Sequence, residues 1–270
     1  MALSGAALAQ TEDPGLYLFQ IPSVRAVTDA GRLGETVEAD FHVPNAENLV
    51  DWFAGSSLSI LATERGLVRI AVGTHETLAS GPAPAHLAAT FVIDYDEPSV
   101  AKLVGKLRER HGSRPSLDEL VRFVDAAIVN KSFRRNFDLA SQVASSGEGD
   151  CTEHAVLLAA LSRATERPAR VVMGIMLVET GERVLAFGHA WAEMHDGSGW
   201  RIADATRPEL QLPSARPRYV PMMALDNEGP GYALQVATLA TAYPARIDRI
   251  KTAEPVATLQ QSSSDARPIY

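Results

Sequence analysis

The sequence has little cysteine, no surplus of positive charge and no long apolar run. Cys151 is its only cysteine, so a disulfide within the chain and a zinc site of several cysteines are both excluded. Lys and Arg number 25 against 33 Asp and Glu, a net charge of −8 that disfavours a nucleic-acid partner. No apolar stretch approaches the ~20 residues of a membrane-spanning helix, so no membrane span is predicted. The composition, 46% hydrophobic and 21% charged, is that of a globular protein.

Residues 1–10 are rich in alanine and read MALSGAALAQ. Ala7-Leu8-Ala9 has the small-x-small pattern that ends a secretory signal. The apolar part is short, however, and the first basic residue is Arg25, so an alanine-rich start without a targeting function is the alternative. The segment favours a periplasmic or secreted location, with a cytoplasmic location as the other possibility.

The hydrophobic pattern changes its period near residue 97. Before it, apolar and polar residues alternate, which predicts strands at 37–43, 57–63, 66–72 and 89–95. After it, the apolar spacing predicts helices, one of them opened by a capping box of Ser116 and Glu119. We therefore predict four parts, namely a disordered or residual signal segment (1–13), a β-rich region (14–96), a catalytic domain (97–252) and a flexible tail (253–270).

The sequence around Cys151 predicts the start of a buried helix. Residues 156–161 are all apolar, and Asp150 with Glu153 forms an acidic capping box that puts Cys151 at the first helical position. The helix N-terminus favours the thiolate, the form that attacks carbonyl groups. The carboxylates of Glu148, Asp150 and Glu153 oppose it, because nearby negative charge raises the pKa of a thiol. A nucleophilic cysteine here needs a cationic partner, so we expect a histidine close in space.

Two histidines are candidates for this partner. His154 lies one helical turn beyond Cys151, whereas His189 lies on a predicted strand that a turn connects to a second strand. If residues 195–198 form the loop of this hairpin, His189 pairs directly with Asp204. Asp204 would then orient the imidazole, which completes a nucleophile, a base and an orienting carboxylate.

These blocks resemble the catalytic core of the transglutaminase-like superfamily. They are Gly149-Asp150-Cys151, His189-Ala190-Trp191, and Trp200 with Asp204, in the family's order. Where the family commonly has Asp-Pro-Thr, this chain has Asp204-Ala205-Thr206. The resemblance covers about residues 122–209. It implies a papain-like core, in which a buried helix carrying the cysteine packs on an antiparallel sheet. Together with the N-terminal β-rich region that the alternating pattern predicts, the fold class is α+β.

The resemblance also implies a function. Cys151 would be the nucleophile, His189 the general base and acid, and Asp204 the orienting residue of a cysteine-dependent peptidase or amidase that forms a thioester. The partner would be a peptide or protein substrate, and no cofactor is predicted. An oxyanion hole needs a second donor beside the Cys151 N–H, and the candidates are Gln142 and a backbone amide of an upstream loop. Two alternatives stay open, a cross-linking protein-glutamine acyltransferase and a catalytically silent scaffold that binds a peptide or protein.

Three further side chains have two interpretations each. Trp191 is a candidate substrate-binding residue, or it packs in the core. His154 is a candidate residue of the substrate cleft, or it is hydrogen-bonded within that cleft. Glu193 could bind a substrate amine or lie solvated on its strand. Cys151, His154, His189 and Asp204 could in principle ligate zinc. However, Cys151 and Asp204 would both have to reach one ion past His189, so no metal is predicted.

Overall fold

A computed structural model of the chain describes residues 19–23, 34–44, 46–53, 55–132, 137–180, 183–206, 217–225 and 231–253. The expected signal segment at 1–13, and all but the first residue of the tail at 253–270, lie outside these ranges. The described part is a mixture of helices and two antiparallel sheets, with one short parallel pair between residues 130–131 and 148–149, which confirms the α+β class. Among its helices, none is long and apolar enough to cross a membrane.

The strands of the described residues are β1 (Phe19–Ile21), β2 (Val37–His42), β3 (Ser59–Glu64), β4 (Leu67–Val72), β5 (Asn130–Lys131), β6 (Glu148–Gly149), β7 (Ala169–Thr180), β8 (Arg183–His195), β9 (Trp200–Ala203), β10 (Arg218–Ala224) and β11 (Arg246–Thr252). The helices are α1 (Ala46–Phe53), α2 (Pro98–His111), α3 (Leu117–Ala127), α4 (Ala140–Ser146), α5 (Cys151–Ala164) and α6 (Tyr232–Ala240).

The larger sheet is built around β8. One edge of β8 pairs with β7, which pairs in turn with β10. Its other edge pairs with β1 at residues 186–188 and with β9 at residues 192–195. All of these pairs are antiparallel, and residues 189–191 lie in the interval between the two short strands. This interval is where the candidate site is found.

The second sheet has the strand order β11, β2, β4, β3. Three of these strands come from the region 14–96, but β11 comes from the end of the chain and pairs with β2. Conversely, β1 belongs to the region 14–96 but pairs with β8 in the larger sheet. The two predicted regions therefore exchange one strand each.

Helix α5 lies in the core and packs against β7 and β8. Its residues from Cys151 to Arg163 are all buried, as the apolar sequence predicts. The predicted capping box is confirmed, because the Asp150 carboxylate accepts from the Thr152 N–H at 2.8 Å and the Asp150 N–H donates to Glu153 Oε2 at 3.0 Å. This cap makes Cys151 the first residue of the helix.

The predicted strand at 89–95 is wrong, because this segment is irregular. Val92 and Ile93 are both buried although they are consecutive, whereas a half-exposed strand buries every second residue. The carbonyl of Val92 accepts from the N–H of Ala140 at the start of α4. The segment therefore packs under the helices instead of joining a sheet.

Candidate active site

Cys151 lies fully buried at the N-terminus of α5, where the helix meets β8. The backbone N–H of Ala190 forms a hydrogen bond with the sulfur and favours its ionised form. Ala190 directly follows His189 and lies between the segments of β8 that pair with β1 and β9. The sulfur is thus placed beside the strand that carries His189.

His189 and Asp204 form a hydrogen bond of 2.8 Å between Nε2 and Oδ2, and both side chains are buried. Since an ionised carboxylate can only accept, Nε2 carries the proton in this bond. The two residues come together as the sequence predicts, but they are not paired directly. β9 ends at Ala203, which pairs with Ala192, so the predicted direct pairing of His189 with Asp204 is wrong.

The hairpin loop explains this difference. The loop runs over residues 196–199 and not over 195–198, because His195 pairs with Trp200. The Asp196 carboxylate stabilises it by accepting from the N–H groups of Ser198 and Gly199, at 2.9 and 3.0 Å. Each residue of β8 therefore lies opposite a residue of β9 that is two places later in the chain than predicted. A shift of two residues keeps every side chain on its face, so Asp204 still reaches His189.

The Asp204 carboxylate has further donors. Oδ1 accepts from the Thr206 N–H at 2.9 Å, and Oδ2 accepts from the Tyr219 hydroxyl at 2.9 Å as well as from His189. Burial alone would raise the pKa of Asp204, but His189 and these donors together lower it to about 2. The carboxylate therefore stays ionised beside the imidazole at neutral pH.

The Cys151 thiol is in an environment that disfavours its charge. Burial raises its pKa well above the ordinary value, and the carboxyl groups of Asp150, Asp204 and Glu153 raise it further, against the lowering effect of the Ala190 N–H. The pKa of Asp150 is itself raised to about 7 by burial and by Glu153. The sulfur is thus protonated, and its ionisation requires a positive charge beside it.

His154 has a structural contact with its own helix. Its Nδ1 lies 2.6 Å from the Asp150 carbonyl oxygen and donates to it, and the side chain is buried. Burial lowers the pKa of His154, so the ring is neutral. This agrees with the second interpretation of His154, a hydrogen-bonded residue.

Trp191 and Gln142 are not placed as substrate-binding residues. Trp191 is completely buried and packs edge-on against Tyr219, with ring centroids 5.1 Å apart. Gln142 is exposed in the first turn of α4, where its Oε1 accepts from the Leu139 N–H at 3.2 Å. Both side chains therefore have packing or capping contacts.

Glu193 is buried and bound to Arg170, whose Nη2 lies 2.6 Å from Glu193 Oε2. It is therefore neither solvated nor open to a substrate amine.

In the described ranges, no cluster of three or more His, Cys, Asp or Glu side chains is arranged to hold a metal ion.

Two tyrosines near the site are not predicted from the sequence. Tyr219 on β10 donates to Asp204, and Tyr243 donates to the carbonyl oxygen of Gly174 at 3.0 Å, on the residue that pairs with His189. Tyr243 is buried close enough to Cys151 for the sulfur's charge to raise its pKa, after burial itself. No sequence motif around either tyrosine indicates a functional residue, because each reaches the site from a distant part of the chain.

Comparison with known proteins supports one family. Residues 112–205 match the model of the Transglutaminase-like superfamily. No curated protein matches the chain. A solved structure from Cytophaga hutchinsonii, provisionally described as a cysteine protease, is similar with 16% identity over 70% of this chain and 77% of that chain, at a TM-score of 0.42.

The periplasmic domain of TgpA from Pseudomonas aeruginosa is similar with 22% identity over 53% of this chain, at a TM-score of 0.37. The alignment spans about half of that domain, 55% of its length. The segment that matches the family model contains all three residues of the predicted triad: Cys151, His189 and Asp204. The match of residues 112–205 thus confirms the resemblance to the transglutaminase-like superfamily that the three sequence blocks predict.

Proposed function

We propose that the chain is a cysteine-dependent amide-bond hydrolase, a peptidase or amidase, that acts through a thioester. The main support is the buried His189–Asp204 hydrogen bond beside the helix N-terminus that carries Cys151. Acyl transfer needs a nucleophile, a base and a group that orients the base. In this proposal Cys151 is the nucleophile, His189 the general base and acid, and Asp204 the orienting residue.

The first half of the reaction begins with transfer of the thiol proton to His189. Since Nε2 directs its proton to Asp204, Nδ1 is the nitrogen through which the neutral imidazole accepts it. The imidazolium then offsets the carboxyl charges that disfavour the thiolate. The thiolate attacks the carbonyl carbon, His189 returns the proton to the leaving amine, and the C–N bond breaks to leave a thioester on Cys151.

In the second half, water attacks the thioester and gives a proton to His189. The C–S bond breaks, the acid product leaves, and the sulfur regains its proton. In both halves the carbonyl oxygen becomes negative. The N–H groups of the first turn of α5 have no acceptor within the helix, so the Cys151 N–H is a suitable donor to that oxygen.

The first test uses iodoacetamide, which reacts with a thiolate. Cys151 is the only cysteine, so the mass increase of the intact protein reports on it alone. We expect alkylation at pH 7 to slow at least ~10-fold in His189→Ala, because the thiolate loses its counter-charge. His195→Ala, at the far end of the same strand, is the matched control and should react like the wild type. Alkylation that is unaffected by His189→Ala would contradict the triad and favour the silent scaffold. Because Cys151 is buried, absence of alkylation in both proteins counts as the same result, since a substrate would then not reach the sulfur either.

A second test separates hydrolysis from acyl transfer. The protein is incubated with glutaminyl peptides and excess primary amine, and the products are identified by mass spectrometry. We expect free acid, formed by the wild type and not by Cys151→Ala. Amide product would contradict the hydrolase and indicate the acyltransferase, whereas absence of both products over a broad peptide set would favour the scaffold.

A periplasmic or secreted location is a separate proposal, which rests on the small-x-small pattern of residues 7–9. Fusion of residues 1–13 to a reporter that is active only after export tests it. An active reporter supports export, and an inactive reporter that is still made in the cell contradicts it.

A further inference from the structure

Tyr219 contacts two members of the proposed triad. It lies on β10, opposite Met176 of β7, and its side chain is buried. Its hydroxyl donates to Asp204 Oδ2 at 2.9 Å. Its ring lies tilted against the imidazole of His189, with centroids 6.3 Å apart, and edge-on against Trp191. The tyrosine is thus held by ring packing while its hydroxyl reaches the carboxylate.

The hydroxyl and the imidazole donate to the same oxygen. His189 Nε2 lies 2.8 Å from Asp204 Oδ2, and the Tyr219 hydroxyl lies 2.9 Å from it. Oδ1 is bound separately, by the N–H of Thr206 at 2.9 Å. Each donor to a carboxylate oxygen disperses its charge, so Tyr219 reduces the charge with which Oδ2 can attract the imidazole. Without Tyr219, Thr206 and His189 would still hold the carboxylate in place.

We propose that Tyr219 is a positioning residue that acts through Asp204, where its hydroxyl limits how strongly the carboxylate stabilises the protonated form of His189. The inference rests on the proposed triad. The hydroxyl would then assist the reaction, because His189 must release its proton to the leaving amine after taking it from the thiol. A carboxylate with fewer donors would hold the imidazolium too firmly for this release.

The test measures the titration of His189 directly. Histidine is labelled with ¹⁵N in a Cys151→Ala background, so that the sulfur does not titrate with the imidazole, and the His189 signals are identified by their loss in His189→Gln. We expect Tyr219→Phe, which keeps the ring and removes the hydroxyl, to raise the pKa of His189 by about half a unit or more. Tyr232→Phe removes a hydroxyl that donates to the carbonyl of Phe137 and should leave the His189 titration unchanged.

A second variant changes the hydroxyl in the opposite direction. Fluorotyrosine at position 219 has a more acidic phenol and donates a stronger hydrogen bond, so it should lower the pKa of His189. Opposite shifts in Tyr219→Phe and in the fluorotyrosine protein support the proposal. Shifts below ~0.2 unit in both proteins, or shifts in the same direction, would overturn it. If Tyr219→Phe does not fold, the fluorotyrosine shift decides alone.

Failure of this proposal can be distinguished from failure of the proposed function. The titration is followed without substrate and without the thiol, so it does not depend on hydrolysis. If His189→Ala leaves the alkylation of Cys151 unchanged, the triad itself is contradicted. If alkylation depends on His189 but the titration of His189 does not respond to position 219, the triad stands and the function assigned to Tyr219 is wrong.

Discussion

The Arg170 guanidinium holds the Glu193 carboxylate through two nitrogens, with Nε at 2.8 Å and Nη2 at 2.6 Å from Oε2, and both side chains are buried. The same guanidinium donates to the carbonyl oxygens of Leu78 and Ser80. The N–H of Leu78 donates in turn to Glu193. This ion pair therefore connects the larger sheet to the segment that follows β4.

Removal of Arg170 should destabilise the protein strongly. Arg170→Ala leaves the Glu193 carboxylate buried without its cation, a change that typically costs about 3–5 kcal/mol of unfolding free energy. Arg201→Ala is the matched control, because Arg201 pairs with Asp196 on the surface, and its loss should cost less than about 1 kcal/mol. Urea unfolding measures both. Equal losses in the two variants would show that the buried pair has no special importance.

Substitution of Gly174 by alanine should disturb the sheet next to the candidate site. A Cβ at this position would lie 2.1 Å from the carbonyl oxygen of Val220 and 2.9 Å from the ring of Trp191. Either β7 or β10 must move, and overpacking of this kind typically costs about 1–3 kcal/mol or more. Gly199→Ala is the control, because nothing lies within 4 Å of its Cβ. A thermal unfolding midpoint of Gly174→Ala equal to that of Gly199→Ala would contradict the prediction.

The stability of the protein should depend on pH through Asp150. Burial and the neighbouring Glu153 raise the pKa of Asp150 to about 7, above its ordinary value of 3.8. The native state thus keeps a proton that the unfolded chain releases. The resulting stabilisation is fully present below the unfolded pKa and is lost as the pH rises through 7. Asp150→Asn keeps an N-cap acceptor but cannot titrate, so its unfolding free energy should fall less between pH 5 and 7 than that of the wild type.

Chemical denaturation at pH 5, 6 and 7 measures this difference. Asp196→Asn is the control, because the loop donors and Arg201 lower the pKa of Asp196, which stays ionised throughout this range. It should change the stability equally at each pH. Parallel pH profiles for Asp150→Asn and the wild type would show that Asp150 does not hold a proton in the native state.

The parts of the fold that the sequence predicts depend on local signals. The start of α5 follows from Asp150 and Glu153, whose side chains bond backbone groups within three residues. Its burial follows from an unbroken apolar run. The face shared by His189 and Asp204 follows from the alternation of β-strands, which a shift of two residues does not change.

Other features depend on contacts that no local pattern reveals. From the sequence, the hairpin loop could begin at His195 or at Asp196. It begins at Asp196 because the Asp196 side chain forms hydrogen bonds with the backbone of the loop. Tyr219 and Tyr243 reach the site only because β10 and the segment after α6 pack against β7. The burial of Glu193 depends on Arg170, which lies on the neighbouring strand. The positions of these side chains depend on tertiary contacts, and the sequence around each residue contains no motif that predicts them.

The exchange of β1 and β11 makes the two sheets interlock. A fragment that begins at residue 97 would lack β1 and expose an edge of β8, and a fragment that ends before residue 246 would lack β11 and expose an edge of β2. Neither half can be cut out along the chain without opening a hydrogen-bonding edge in its partner. A pulling force applied between residues 19 and 252 would act on both sheets at once. Each end of the described chain is hydrogen-bonded into the sheet that the other end's region mainly forms.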